Sequence, residues 1–167
     1  MSNSPTVFGS LDNYTKGGVE TVDASATHYA FSNVFEVASR STPFERVAVA
    51  KNLKYVLEAA RAEGDSPWFA AAHDESVLVM DGTVTISFIR PTVPAVTPNA
   101  EGAVALSTQP VGTRMGWVRA SRGHMALLPA GAAYQIHTEG SRAGALLFQT
   151  IKGPLTVERW RDICQLA

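Results

Sequence analysis

From Asp65 to about Gly153 the chain consists of short apolar runs, each closed by turn-forming residues. Runs of this length, rich in β-branched and aromatic residues, predict strands. They are Trp68 to Ala72, Ser76 to Met80, Thr83 to Ile89, Ala103 to Ser107, Gly116 to Ala120, Met125 to Leu128, Ala133 to Thr138 and Ala145 to Ile151. Asp81-Gly82 predicts a type I′ hairpin joining the second run to the third. Pro91 to Glu101 is a Pro-rich loop between strands, too short to separate domains. Strands in this number must hide their apolar faces by packing into two sheets or closing on themselves. The expectation is a mainly β fold, a jelly-roll barrel over 66–152.

The flanks are less regular. Residues 1–25 mix Ser, Thr, Asn, Gly and Asp without a period and read as an extended arm. His28 to Val37 reads as a strand interrupted by Ser32 and Asn33. Thr42-Pro43-Phe44-Glu45 has the form of a capping box, although Arg46 to Ala50 alternates as a strand would. After Asn52 as a cap, Leu53, Tyr55, Val56, Leu57 and Ala60 cluster at helical spacing up to Glu63-Gly64. A helix before the barrel is expected over Leu53 to Ala62, with a start as early as Pro43 as the alternative. Val157, Trp160, Ile163 and Cys164 share a helical face, which predicts a C-terminal helix over 155–165. The 167 residues form one domain on this reading.

Composition excludes several classes. A net charge of −1, with no basic stripe, argues against a nucleic-acid binder. No apolar run approaches the roughly 18 residues of a membrane span. The opening residues lack the basic and apolar regions of a signal peptide, and the one cysteine, Cys164, permits no internal disulfide. These features predict a cytoplasmic protein. The charged fraction, 17%, is low against the typical ~25%, as a chain with a covered subunit interface or a Ser/Thr/Ala-rich β surface would show.

Two spacings carry chemistry. Glu75 is followed after six residues by Gly82, and Gly123 after five by Pro129-Ala130-Gly131, then after two more by Tyr134. Together these resemble the two signature motifs of the cupin family, G(X)5HXH(X)3-4E(X)6G and G(X)5PXG(X)2H(X)3N. In that family the histidines and glutamate point into the barrel and hold a metal ion. Here the first two histidine positions fall on Phe69 and Ala71, or on Trp68 and Ala70, the third falls on Tyr134, and the Asn position is Thr138. Glu75 and Tyr134 are thus vestigial ligand positions, and no metal site is expected. An alternative ligand set is His73, Glu75 and His137. His73 shares the side of Glu75 two residues on, whereas His137 lies an odd three residues from Tyr134 and points outward on a regular strand. His28 and His124 read as hydrogen-bonded or surface groups, Cys164 as a packing residue, and Trp68, Trp117 and Trp160 as core or interface anchors.

Four longer stretches carry a second resemblance: FGSLDNYTKGGVE, KNLKYVLEAARAEGDSPWFAAAHDESVLVMDGTV, MGWVRASRGHMALLPAGAAYQ and QTIKGPLTVERWRDICQ. They resemble the small (alpha) subunit of the two-subunit hydroquinone dioxygenases of bacterial phenol degradation. The resemblance implies a degenerate cupin beside a larger subunit that holds Fe(II), in a heterotetramer with two copies of each. It also implies that the complex cleaves hydroquinone with O2 to 4-hydroxymuconic semialdehyde. Interface expectations are the N-terminal arm, the Trp68 to Ala72 strand and the C-terminal helix with Trp160. Two other classes stay open: a self-sufficient cupin dioxygenase for di- or trihydroxybenzenes using His73 and Glu75, and a non-catalytic aromatic-binding cupin.

Overall fold

A computed structural model describes residues 9–31 and 33–163. Two mainly antiparallel sheets pack face to face as a jelly roll that does not close into the expected barrel. The larger sheet contains β1 (Val19–Thr21), β2 (His28–Phe31), β3 (Arg46–Asn52), β4 (Tyr55–Ala62), β6 (Glu75–Asp81), β10 (Met125–Leu128) and β12 (Gly144–Ile151), in the order β1-β2-β3-β4-β12-β6-β10. The smaller contains β5 (Trp68–Ala71), β7 (Thr83–Pro91), β8 (Ala103–Leu106), β9 (Gly112–Ser121) and β11 (Ala133–Thr138), in the order β8-β5-β11-β7-β9. A short β13 (Thr156–Val157) runs parallel to β3. Among the described residues two α-helices, α1 (Val34–Ser39) and α2 (Trp160–Ile163), lie outside the sheets in sequence. No helix of the described residues is long and apolar enough to cross a membrane.

Period-2 alternation sorts the side chains. On β4, β6 and β12 one set of residues, including Ala60, Val77, Val79, Leu146 and Phe148, enters the core between the sheets. Phe69, Val84, Ile86, Tyr134 and Ile136 meet them from the smaller sheet. The opposite face of the larger sheet, with Val47, Val49 and Ala59, packs against Val37 of α1 and Ile163 of α2. On the outer face of the smaller sheet, Trp68, Ala70, Ile89 and Ala133 are covered by Ala95 and Val96 of the Pro-rich loop and by Leu106.

All eight expected barrel strands form, with ends shifted by a few residues at most. Before the C-terminal segment, expectations fail in three places. Residues Leu53 to Ala62 are not a helix: β3 and β4 form a hairpin, and Leu53 turns at φ +56°. The residues of this stretch favour helix, but Val56, Glu58, Ala60 and Ala62 need an inward face and β4 pairs on both edges, with β3 and β12. Burial on both sides of a central strand overrides propensity of a few tenths of a kcal/mol per residue. The Thr42 to Glu45 capping-box signature likewise makes a turn, in which the Glu45 carboxylate accepts the Thr42 N–H (3.1 Å) and Phe44 has φ +57°.

Asp81-Gly82 reverses the chain, but not as a hairpin, because β6 and β7 belong to different sheets. Gly82 has φ +81°, and a Cβ there would lie 2.9 Å from the Cα of Gly144. This is a corner where two backbones touch, which glycine alone permits. The buried Asp81 carboxylate ties the corner down, accepting from the Gly82 N–H (2.9 Å), the Leu11 N–H (3.0 Å) and Arg142 (3.0 Å).

The third failure concerns His28 to Val37. The strand stops at Phe31, and Asn33 caps α1, its Oδ1 accepting from the N–H groups of Phe35 (2.9 Å) and Glu36 (3.2 Å). The C-terminal helix starts later than expected. Thr156 and Val157 extend along β3, the helix begins at Trp160, and Cys164 lies outside the described residues. Part of the arm, 9–25, packs on its own chain: Tyr14 and Ser39 share a hydrogen bond of 3.0 Å, and the Gly17 N–H donates to Glu36 (2.8 Å).

Candidate functional site

The two sheets bring four polar side chains together inside an otherwise apolar core. Arg46 opens β3, Glu58 stands mid-β4, Glu75 opens β6, and Tyr134 is the second residue of β11 on the facing sheet. Three are 1% exposed and Arg46 is 3% exposed, so every polar atom must find a protein partner.

Each does. The Arg46 guanidinium donates through Nε to Glu58 (2.6 Å), through Nη1 to the Tyr134 hydroxyl (3.1 Å) and through Nη2 to Glu75 Oε1 (2.9 Å). Tyr134 donates its own proton to Glu75 Oε2 (2.8 Å). The second oxygen of Glu58 accepts from the Thr156 hydroxyl (2.5 Å), which places β13 in the same network. Thus all four carboxylate oxygens have a donor. The guanidinium also lies 4.1 Å from the ring centroid of Phe148, a cation–π contact, while the Phe69 and Tyr134 rings are 5.7 Å apart. Arg46 therefore spans the sandwich, bound to both sheets by its planar fork.

Burial raises the Tyr134 phenol well above its ordinary pKa; nearby Glu75 adds to this, and the opposing pull of Arg46 is smaller. Tyr134 stays protonated and keeps donating. For Arg46, burial works against the charge but is outweighed by Tyr134, Glu58 and Glu75, so the cation is held above its usual range.

This arrangement does not fit a metal ion. The surviving cupin carboxylate, Glu75, and the residue at the third histidine position, Tyr134, point at the same spot, but a guanidinium takes up both. Phe69, at another ligand position, offers only carbon to the core. The alternative ligands do not converge. His73 precedes β6 and its Nε2 meets the Thr150 hydroxyl at 2.9 Å, in a cavity of about 280 Å³ beside Asp74 and Gln149. His137 faces outward on β11, against Asp65 at 2.6 Å. Among the described residues no group of three or more His, Cys, Asp or Glu is placed to hold a metal.

Sequence reading reached Glu75 and Tyr134 through their spacing but missed Arg46 and Glu58. A signal was present: Arg46 heads an apolar run, Arg46-Val-Ala-Val, and Glu58 interrupts another, Val56-Leu-Glu-Ala. For Glu58 the helical reading of the stretch hid it. His124 Nδ1 accepts the Ser121 N–H (3.0 Å), Trp68 is buried, and Trp117 is 67% exposed.

No protein-family model matches the sequence, and neither does any curated protein. Solved structures do. Hydroquinone 1,2-dioxygenase PnpCD, in complex with Cd2+ and 4-hydroxybenzonitrile, contains a chain 52% identical over 99% of both chains, with a TM-score of 0.85. Hydroquinone 1,2-dioxygenase from Sphingomonas sp. TTNP3, with 4-hydroxybenzoate bound, contains one 50% identical over 98% of both, also at 0.85. A longer chain of PnpCD, from its complex with Fe3+, is 14% identical over 92% of this chain and 43% of its own length, with a TM-score of 0.56. At that identity it shares the fold.

Proposed function

The chain belongs to the hydroquinone 1,2-dioxygenase family, and from that premise we propose that it is the smaller, non-metal-binding subunit of such an enzyme. Its partner is a larger subunit, cupin-like in part of its length, that holds Fe(II). The assembly is a heterotetramer with two copies of each. The complex opens the hydroquinone ring with O2 to give 4-hydroxymuconic semialdehyde, both atoms of O2 entering the product. Iron held by the larger subunit would supply the activation of oxygen and phenolate.

One observation carries the reading: Arg46 donates to Glu75 and Tyr134, the two positions where cupins place ligands. A fixed cation there keeps the sandwich closed without metal, and it repels a divalent ion. Two further facts support a partner. PnpCD contains both a chain like this one and a longer chain, part of which has the same fold. The low charged fraction suits a chain with a covered face.

The test is expression under anaerobic, Fe(II)-supplemented conditions, alone and with the larger subunit, followed by oxygen uptake on hydroquinone. The isolated chain is expected to give no uptake, and the co-expressed pair to give turnover. Turnover by the isolated chain, with one iron per chain, overturns the reading in favour of a self-sufficient dioxygenase.

A further inference from the structure

β9 and β10 are the last strands of their sheets, and each has one hydrogen-bonded neighbour, β7 and β6 respectively. They end their sheets on the same side of the sandwich. Between them opens a cavity of about 730 Å³, lined among others by Phe88, Met115, Trp117, Val118, Met125 and Leu127. Its apolar walls face outward. Trp117 is 67% exposed, Met125 66% and Leu127 60%, and every residue from Gly112 to Arg119 is exposed.

A long edge strand with large apolar side chains and free N–H and C=O groups templates another strand, and proteins that leave such an edge open usually blunt or cover it. The register shift at Phe88/Ile89 bends β9 locally but leaves Met115 and Trp117 in the open. The edge is also charged in one sense only. Arg119 lines the cavity, Arg114 is exposed on the same strand, and no Asp or Glu occurs between Gly102 and Thr138. Arg119 has Glu139 beside it only at 3.8 Å. A second copy of this chain would set these cations against one another; a strand with flanking carboxylates would neutralise them.

Resting on the assignment of this chain as a smaller subunit, we propose that the β9–β10 edge is where the larger subunit docks. The occupant is an apolar strand of that subunit, flanked by acidic residues. The strand continues one sheet through backbone hydrogen bonds while its side chains fill the cavity around Trp117. Arg114 and Arg119 meet its carboxylates at the rim.

The experiment uses the co-expressed complex. Amide hydrogen exchange over 112–119 is compared between the isolated chain and the complex, and the affinity of Trp117→Lys and of the Arg114→Glu/Arg119→Glu double variant is measured. The altered side chains are exposed, and thermal unfolding of the isolated variants checks that they fold. The expected result is slowed exchange on complex formation, affinity weakened at least about 30-fold by Trp117→Lys, as for an aromatic hot spot, and faster association lost in the charge-reversed variant. A complex that forms with unchanged exchange over 112–119 and full affinity for Trp117→Lys overturns the docking site while leaving the subunit assignment standing. Failure of the unaltered chain to bind the larger subunit at all overturns the assignment, and the docking site with it. Self-association through this edge overturns the docking site alone.

Discussion

Replacing Arg46 by Met keeps the approximate length and apolar stem of the side chain and deletes the buried cation. Glu58 and Glu75, with side chains 2% and 0% exposed, are then left facing each other's charge with no counter-ion. The hydrogen bonds of 2.6 and 2.9 Å to them disappear, as do the 3.1 Å bond to Tyr134 and the contact with the Phe148 ring. Breaking a buried ion pair by removing one partner costs about 3–5 kcal/mol. For a domain of this size each kcal/mol lowers Tm by about 2–4 °C, so a loss of roughly 6–20 °C is expected. The triple variant Arg46→Met/Glu58→Leu/Glu75→Met removes the stranded charges as well and is expected to recover most of that loss, because apolar replacement of a buried ion group is often neutral or stabilising. Urea unfolding of the three proteins, with m-values compared, measures this. A single variant within about 1 kcal/mol of the unaltered chain, or a triple variant no better than the single, refutes the argument that Arg46 is the counter-ion holding the sheets together.

Further outcomes follow from individual residues. Leu53→Gly is expected to stabilise by roughly 1 kcal/mol in urea unfolding, because φ +56° suits glycine. Were 53–62 helical, the same change would destabilise. Gly82→Ala is expected to cost about 1–3 kcal/mol, from its positive φ and the 2.9 Å approach to Gly144; a neutral result contradicts the corner geometry. The Tyr134 phenol is raised in the folded state, so its contribution is whole below the unfolded value near 10 and is lost as pH rises above it. Stability is therefore expected to fall from about pH 10 upward, and less steeply in Tyr134→Phe, as followed by tyrosinate absorbance with unfolding at each pH.

The barrel strands were legible because short apolar runs between turn residues admit few alternatives. The Trp68 to Ala71 and Ala133 to Thr138 strands and the Glu75 and Tyr134 positions could be read from spacing. The β3–β4 hairpin could not be, since Leu-Glu-Ala-Ala-Arg-Ala is locally a helix former and becomes a strand only between β3 and β12. The same long-range pairing brings Glu58 to Arg46. Asp81-Gly82 signalled a reversal, but a local turn signal does not say whether the next strand pairs with the last or crosses to another sheet. The cation at the centre of the site thus depends on contacts between residues far apart in sequence, such as Arg46 and Tyr134, which no local pattern encodes.

The most direct test of the account is where the iron sits in the active complex. Native mass spectrometry of the anaerobically prepared complex, with subunits released in the gas phase, gives the mass of each chain with and without bound metal. The expected spectrum shows iron on the larger subunit and this chain at its bare mass of 17.8 kDa. Stoichiometric iron retained by this chain, lost on Glu75→Gln, would contradict the assignment of Arg46 as the core's resident cation.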